Sequence, residues 1–499
     1  MRKLRYILAA ASFAVLALAA ILLGKIESES CMGIPVVSPD RFENYIHAEN
    51  PDLNGQIVFN GEVAPVDVNT LTIYVTQKVD EGTEPSELTG DLEVANGEHR
   101  LYFIKDKAFD SFYESVKEGH CFRLFAVNSK KEYIEFKVVF TALPVLKIDG
   151  GFLRDLADGR PSYIGNIWLW DIIAGESNDY DVIHSESYWH IRGNRQDKQS
   201  LKFSFFAGEE SNNLSLMKLG SDEDWILNPL SIDDTKIREK TTLDLWRQLQ
   251  QYAAYPLDMS KGEYVELLHN GTYRGVWMLQ RRIDRKYLSL GEGHILLKNL
   301  DWFDAQTVED AYEIEYSAYD EQYTENLMQQ LFDKEIYDHI NLENWIDVAL
   351  YIQAADLKDN CYHKNMFFLF DMTEEDYQIY LIPWDTDMAF GATWAYDHIS
   401  ENPEVVLTRL EYSKLKEFYP DLDKLMAERW QQLRQTVYST ENILSTAEKY
   451  YSYLDENGVT ERDYLVWNFR CKGTDTYETL KEYITERMDF LDGYYAQYN

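Results

Sequence analysis

"NCYHKNMFFLFD", Asn360 to Asp371, and "PWDTDMAFG", Pro383 to Gly391, decide how this chain is read. Each sets oxygen-bearing side chains at the edge of a short apolar run that reads as a strand. Asp359, Asn360 and Asn365 precede "MFFLF", and Asp385 and Asp387 follow "YQIYLI". Pro383 ends its strand, so Asp385 falls just beyond it, where a side chain can face a cleft rather than a core. Asp387, two residues on, faces the same side if the backbone stays extended. The plain alternative for Asp-x-Asp at a strand end is a turn whose carboxylates cap their own backbone.

Working outward, "NLENWIDVALYIQAADLKD" precedes these strands. Its apolar Leu342, Trp345, Ile346, Ala349 and Leu350 share one helical face, which predicts Asp359 at the exposed C-terminal end of that helix. Upstream, "VELLH" and "YRGVWML" flank Asn270-Gly271, the dipeptide that takes the positive φ values of a type I′ hairpin turn. "SYWHIRGNRQDKQSLKFSFF", Ser187 to Phe206, reads as strand, turn, strand. In an extended "KQSLKFSF", Lys198, Ser200, Lys202 and Ser204 share one face, and Leu201, Phe203 and Phe205 the other. Such a face can be a solvated cationic surface or can hold a polyphosphate. In "SIDDTKIREKTTLDLWRQLQ", Asp233 or Asp234 is placed to cap a helix carrying Ile237, Leu243, Leu245 and Trp246.

The 499 residues exceed one ordinary core and predict two or three domains. With 45% apolar and 14% aromatic residues the chain is a folded one. The formal charge of −38 argues against sequence-independent nucleic-acid binding, which needs clustered Lys and Arg, and the bland reading of the acidic excess is a soluble surface. At the N-terminus "MRKLR" flanks the apolar run Tyr6 to Gly24, long enough to span a bilayer as a helix. No small-x-small cleavage site follows, and the preceding basic residues leave the remainder exported. The expected location is the cell membrane with an exported, extracellular domain, or secretion if the segment is cut. Cys31, Cys121, Cys361 and Cys471 give neither a disulfide framework nor a zinc pattern, though one disulfide is compatible with them.

From Cys31 to Leu146 short alternating runs such as "NTLTIYVTQ", "HRLYFI", "CFRLFAVNS" and "EYIEFKVVF" predict a small β-sandwich-like module, residues 31–142, read as a spacer or binding module. A second domain, 143–499, begins near "ALPVLKIDG", and from about Asn402 it is helical, its aromatic stripe serving as core. Residues 1–30 hold the anchor.

In order, "RGNRQDKQSLKFSF", "DWILNPLSIDDTKIREK", "EYVELLHNGTYRGVWML", "LLKN", "KDNCYHKNMFF", "PWDTDMAFG", "RDYLVWNF" and "LKEYITERMDFLDGYY" resemble the CotH family, atypical kinases named for a spore-coat protein. The resemblance spans roughly Leu143 to the C-terminus. It implies an α+β, divergent protein-kinase-like domain with a helical C-terminal part, behind the small β-sandwich domain and the N-terminal membrane helix. It also implies a phosphotransferase that uses ATP with Mg2+ or Mn2+ on Ser or Thr of surface or secreted proteins.

On the matching positions it implies Asp359 as the group that orients or deprotonates the acceptor hydroxyl, with Asp356 as a substitute. Asn365 and Asp385 would be metal ligands, and Asp387 a second ligand or a structural partner. Lys198 would meet the phosphates, with Lys202 and Lys298 as stand-ins and Arg192 facing the site. Phosphoryl transfer needs such groups because the protein's work is positioning and charge neutralisation. Trp467 and Arg487 read as packing residues. Two departures stand out: one residue too many between Asp359 and Asn365, and Arg281 where relatives carry Glu. Either another acid serves, or the chain binds nucleotide poorly and is a noncatalytic surface scaffold. Acceptor protein and oligomeric state have no signature in the sequence.

Overall fold

The computed structural model describes residues 29–498 apart from 49–55, 96, 156–160, 174–180, 193–197, 256, 302–303, 362–363, 394–401, 410 and 470–472. The run Tyr6 to Gly24 and Cys471 therefore lie outside the described residues, within which no helix is long and apolar enough to cross a membrane. The chain is a mixed α+β protein. It divides into two compact units. The first holds the chain up to Lys147 with Trp168–Ile183 and Leu268–Tyr273; the second holds Ile148–Ile167, His184–Leu267 and the chain from Arg274 onward.

The first unit is built on the antiparallel meander His99–Ile104, Phe122–Asn128 and Glu132–Thr141. Thr72–Thr76 and Ile34–Val37 flank it in parallel register, Lys137 opposite Thr72 and Val36 opposite Phe103. A separate sheet joins Glu62–Val63, Ile57–Phe59 and Leu92–Val94. The sheets are thus unequal and partly parallel. The run Phe122 to Val127 is almost continuously apolar because both faces of its strand are covered. On one face the rings of Phe112 and Phe140 stand 5.0 and 5.3 Å from that of Phe122. On the other, Phe125 and Val127 pack with Phe42 and Ile104.

The second unit carries the residues of interest. One of its sheets sets Thr272–Arg281, Asp224–Asn228, Leu201–Ala207 and Asp181–Ile191 side by side in that order. Neighbouring strands bring buried Leu201, Leu227 and Leu279 into line. The Asn270-Gly271 turn has φ of 49° and 67°, as its hairpin requires. A four-stranded antiparallel sheet follows, in the order Tyr312–Ser317, His294–Asn299, Met366–Asp371 and Gln378–Pro383.

Helix Arg238–Leu249 starts one turn after Asp233, whose Oδ2 accepts the Arg238 amide at 2.7 Å. The fully buried Arg238 guanidinium bridges Asp233 and Asp475, at 2.6 and 2.7 Å. Helix Leu342–Ala355 is buried all round from Asn344 onward, not on one face as its apolar stripe predicts. Its polar residues are absorbed: Asn344 exchanges two hydrogen bonds with the Leu381 backbone, and Arg429 pairs with Asp347 at 2.7 Å. The C-terminal helices Glu411–Phe418, Leu422–Arg434, Thr440–Asp455, Val459–Trp467 and Tyr477–Ala496 complete the unit. From the last, buried Arg487 donates to the Gln353 carbonyl at 2.9 Å, a second bond to an acceptor that the Asp356 amide also reaches at 3.2 Å.

Candidate active site

The strands Met366–Asp371 and Gln378–Pro383 pair with Met366 opposite Pro383. Asn365, just before the first, and Asp385, just after the second, therefore meet at the same end of the hairpin. Both take the left-handed backbone conformation, φ 57° and 56°, which Asn and Asp tolerate best among side-chain-bearing residues. Asn360 fixes this end, since its amide donates to the Asn365 carbonyl at 2.9 Å and the Trp384 carbonyl at 2.8 Å. Asn365 in turn donates to Asp359 Oδ2 at 3.2 Å.

Asp359 does not sit on the exposed end of the preceding helix. Asp356, left-handed at φ 54°, stops that helix, and Asp359 belongs to the buried turn Lys358–Cys361. Asp356 itself is engaged by the Tyr483 hydroxyl at 2.5 Å and Lys358 at 3.0 Å, so it is committed to ending the helix and Asp359 is the carboxylate beside Asn365.

Asp387 extends the group. Burial, then the charges of Asp385, Glu239 and Asp359, hold its carboxyl well above the usual range. Glu239, on helix Arg238–Leu249, is pushed up to about 8 by burial and by Asp385, against a hydrogen bond from Gln280. Its two oxygens accept from Gln280 and Asn228, each at 2.6 Å. Burial also raises Asp385, opposed by Arg192, Lys298 and Lys364. Four carboxylates and three cations thus act on one another here.

A cleft of ≈ 560 Å³, partly open to solvent, is lined by Arg192, Lys198, Asn228, Gln280, Asp385 and Asp387 among others. The Arg192 guanidinium lies 5.8 Å from the centre of the Trp384 ring. Lys198 is buried in the cleft wall, its ammonium donating to the Val276 carbonyl at 2.5 Å and Asp463 at 2.7 Å. Lys298 stands 3.8 Å from Glu313. Lys202 pairs with Asp224 at 2.8 Å and is not among the cleft-lining residues.

Arg281 is buried against Asp222, 2.8 Å away, with Trp225 and Tyr287 rings beside its guanidinium. The neighbouring Gln280 lines the cleft instead, as alternation along a strand requires. The acid that Gln280 meets is Glu239, buried behind the cleft-lining Gln280 and Asn228. Glu239 and Lys364 escape a reading of the sequence, the first because it lies in a helix buried on every side, the second because a lone Lys before Asn365 carries no pattern. Asn360 is visible only as part of "DNCYHKN".

Residues 189–491 match the family model described as CotH kinase protein. The chain belongs to the CotH kinase family. No curated protein matches it. The matched stretch starts in the strand Asp181–Ile191 and ends in the last helix, so every cleft residue named above falls within it.

CotH kinase membership implies ATP and a divalent cation, and the donor set tests this. Among the described residues no three His, Cys, Asp or Glu side chains form a ready-made metal cage. That is the usual situation for Mg2+, which takes one or two carboxylates and completes its shell with phosphate oxygens and water. Asp385, Asp387 and the Asn365 amide are oxygen donors of the right kind. Burial holds Asp385, Asp387 and Glu239 above their usual range, with neighbouring carboxylates adding to the rise at Asp387 and Glu239, and a nearby divalent charge would favour the ionised forms. The residues fit the group.

Proposed function

We propose that this CotH protein is an exported, membrane-anchored kinase with a divergent protein-kinase-like domain, which transfers the γ-phosphoryl group of ATP to Ser or Thr hydroxyls of surface or secreted proteins. The observation that carries the reading is the 3.2 Å contact between Asp359 and Asn365 at the end of the hairpin that also bears Asp385 and Asp387. Asn365, Asp385 and Asp387 would hold a divalent cation, which neutralises phosphate charge and aligns the triphosphate. Arg192, Lys298 and Lys364 add positive charge around the same carboxylates. Asp359, held by Asn365, orients the acceptor hydroxyl and takes its proton. The first 30 residues supply the anchor.

The test is transfer of label from γ-labelled ATP to an acceptor protein with Mg2+ or Mn2+, by wild type and by Asp385→Asn. Transfer by the wild type alone is expected. A wild type that neither binds nucleotide nor transfers label would make the chain a noncatalytic surface scaffold.

A further inference from the structure

The cleft lysine Lys198 is held by a carboxylate far along the chain. Asp463, in helix Val459–Trp467, accepts the Lys198 ammonium on Oδ1 at 2.7 Å and the Val276 amide on the same oxygen at 3.0 Å. Its Oδ2 lies 3.3 Å from the Lys236 ammonium. Lys198, Lys236 and Asp463 are only 4%, 4% and 1% exposed.

The strand Thr272–Arg281 is shaped to admit this carboxylate. Gly275 has φ +76°, and a methyl group at that position would overlap the Asp463 carboxylate. The helix is secured on either side of the contact. Arg462 pairs with Glu266 at 2.5 Å, and the Trp467 indole donates to the Arg274 carbonyl at 2.8 Å.

We propose that Asp463 is the positioning residue for Lys198, fixing its ammonium at the phosphate side of the cleft as the acidic partner of the nucleotide lysine. This rests on the kinase reading of the cleft. An ammonium carries three N–H donors; the Val276 carbonyl and Asp463 occupy two, leaving one for a phosphate oxygen. The pair also keeps the charge in place. Burial pulls the Lys198 pKa down to about 8, Asp463 opposes that fall and Lys236 adds to it. Burial would raise Asp463, but the two lysines outweigh it and hold its carboxyl below the usual range. Without Asp463, Lys198 would lose its proton at lower pH. The acid thus comes from the C-terminal helices, and Arg281 has no part in it.

The test uses Asp463→Asn and, because that change leaves two buried lysines without a counter-charge, the double variant Lys236→Met/Asp463→Asn, in which the net local charge is again that of the wild type. MgATP affinity is measured from pH 6.5 to 9 alongside thermal melting. For a double variant that melts like the wild type, affinity should fall about tenfold or more, the scale of one charge-assisted hydrogen bond, and its alkaline limb should move to lower pH. A folded double variant that binds MgATP as the wild type does, with an unmoved alkaline limb, makes the pair purely structural and overturns the proposal. A wild type that binds no MgATP overturns the kinase reading itself and this proposal with it. Loss in the variants alone separates the two.

Discussion

Asn365 and Asp385 share the left-handed backbone conformation at the open end of one hairpin, φ 57° and 56°, and the Trp384 amide ties them together by donating to the Asn365 carbonyl at 2.9 Å. Two residues in a disfavoured conformation cost stability, of order 1–2 kcal/mol each for residues other than Gly, less for Asn and Asp. Their placement where a cation and a triphosphate would sit is what a binding hairpin requires.

Asp385→Asn should therefore keep the fold, because Asn accepts the left-handed conformation equally well, while phosphoryl transfer falls by about 100-fold or more with the lost charge. Asp385→Ala should add about 1 kcal/mol of destabilisation to the same loss. Melting curves beside transfer assays check both. An Asp385→Asn enzyme with wild-type turnover would remove this residue from the metal site.

Asp359 and Asp356 should separate by phenotype. Asp359→Asn should lower kcat about 10²–10⁴-fold, as for loss of a general base, with the KM for ATP little changed. Asp356→Asn should instead weaken the fold by about 1–3 kcal/mol, because Asp356 is buried and partnered by Tyr483 and Lys358. If urea unfolding and kinetics show the reverse pattern, the two roles are exchanged.

Metal should stabilise the protein more at high pH. Glu239 holds its proton up to about 8 in the folded state, from an ordinary value of 4.5, and Asp385 and Asp387 are shifted the same way. Between those values the folded state binds protons that the unfolded state has released, so this contribution to stability falls as pH rises through the window. A divalent cation favours the ionised carboxylates. The rise in Tm on adding MgATP should be larger at pH 8 than at pH 6, by scanning fluorimetry against an EDTA control; an equal or smaller rise at pH 8 refutes the acidic cluster as the ligand set.

Arg281→Glu should not improve nucleotide binding. It would set a second carboxylate against Asp222 in a buried position, and breaking the buried Arg281–Asp222 pair costs about 3–5 kcal/mol. A variant that stays folded and binds ATP more tightly would show that this position reaches the cleft after all.

Much of this architecture is local enough to read from the chain. The Asn270-Gly271 turn, the strands around "MFFLF" and "YQIYLI", and the meeting of Asn365 with Asp385 follow from turn chemistry, strand length and the family pattern. The rest depends on long-range partners that leave no periodic mark. Asn344, Asp347 and Gln353 make helix Leu342–Ala355 look one-faced, yet each finds a partner elsewhere: the Leu381 backbone, Arg429 and the Leu407 backbone. Asp463 and Lys198 are 265 positions apart, so their pairing is invisible to any window. Lys202 shares the strand face of Lys198 by alternation, and its pairing with Asp224 and its place outside the cleft lining distinguish it.

The double grip of Asp233 and Asp475 on Arg238 bears on how the chain is made. Arg238 is fully buried, and one of its two carboxylates is synthesised 237 residues after it. A chain still emerging from a ribosome or a translocon exposes or strands that guanidinium until Asp475 arrives. The domain should therefore stay protease-sensitive through nearly all of its synthesis and close late. Chains cut after residue 456 should be digested rapidly in a limited-proteolysis assay, while the chain that includes Asp475 and the last helix resists.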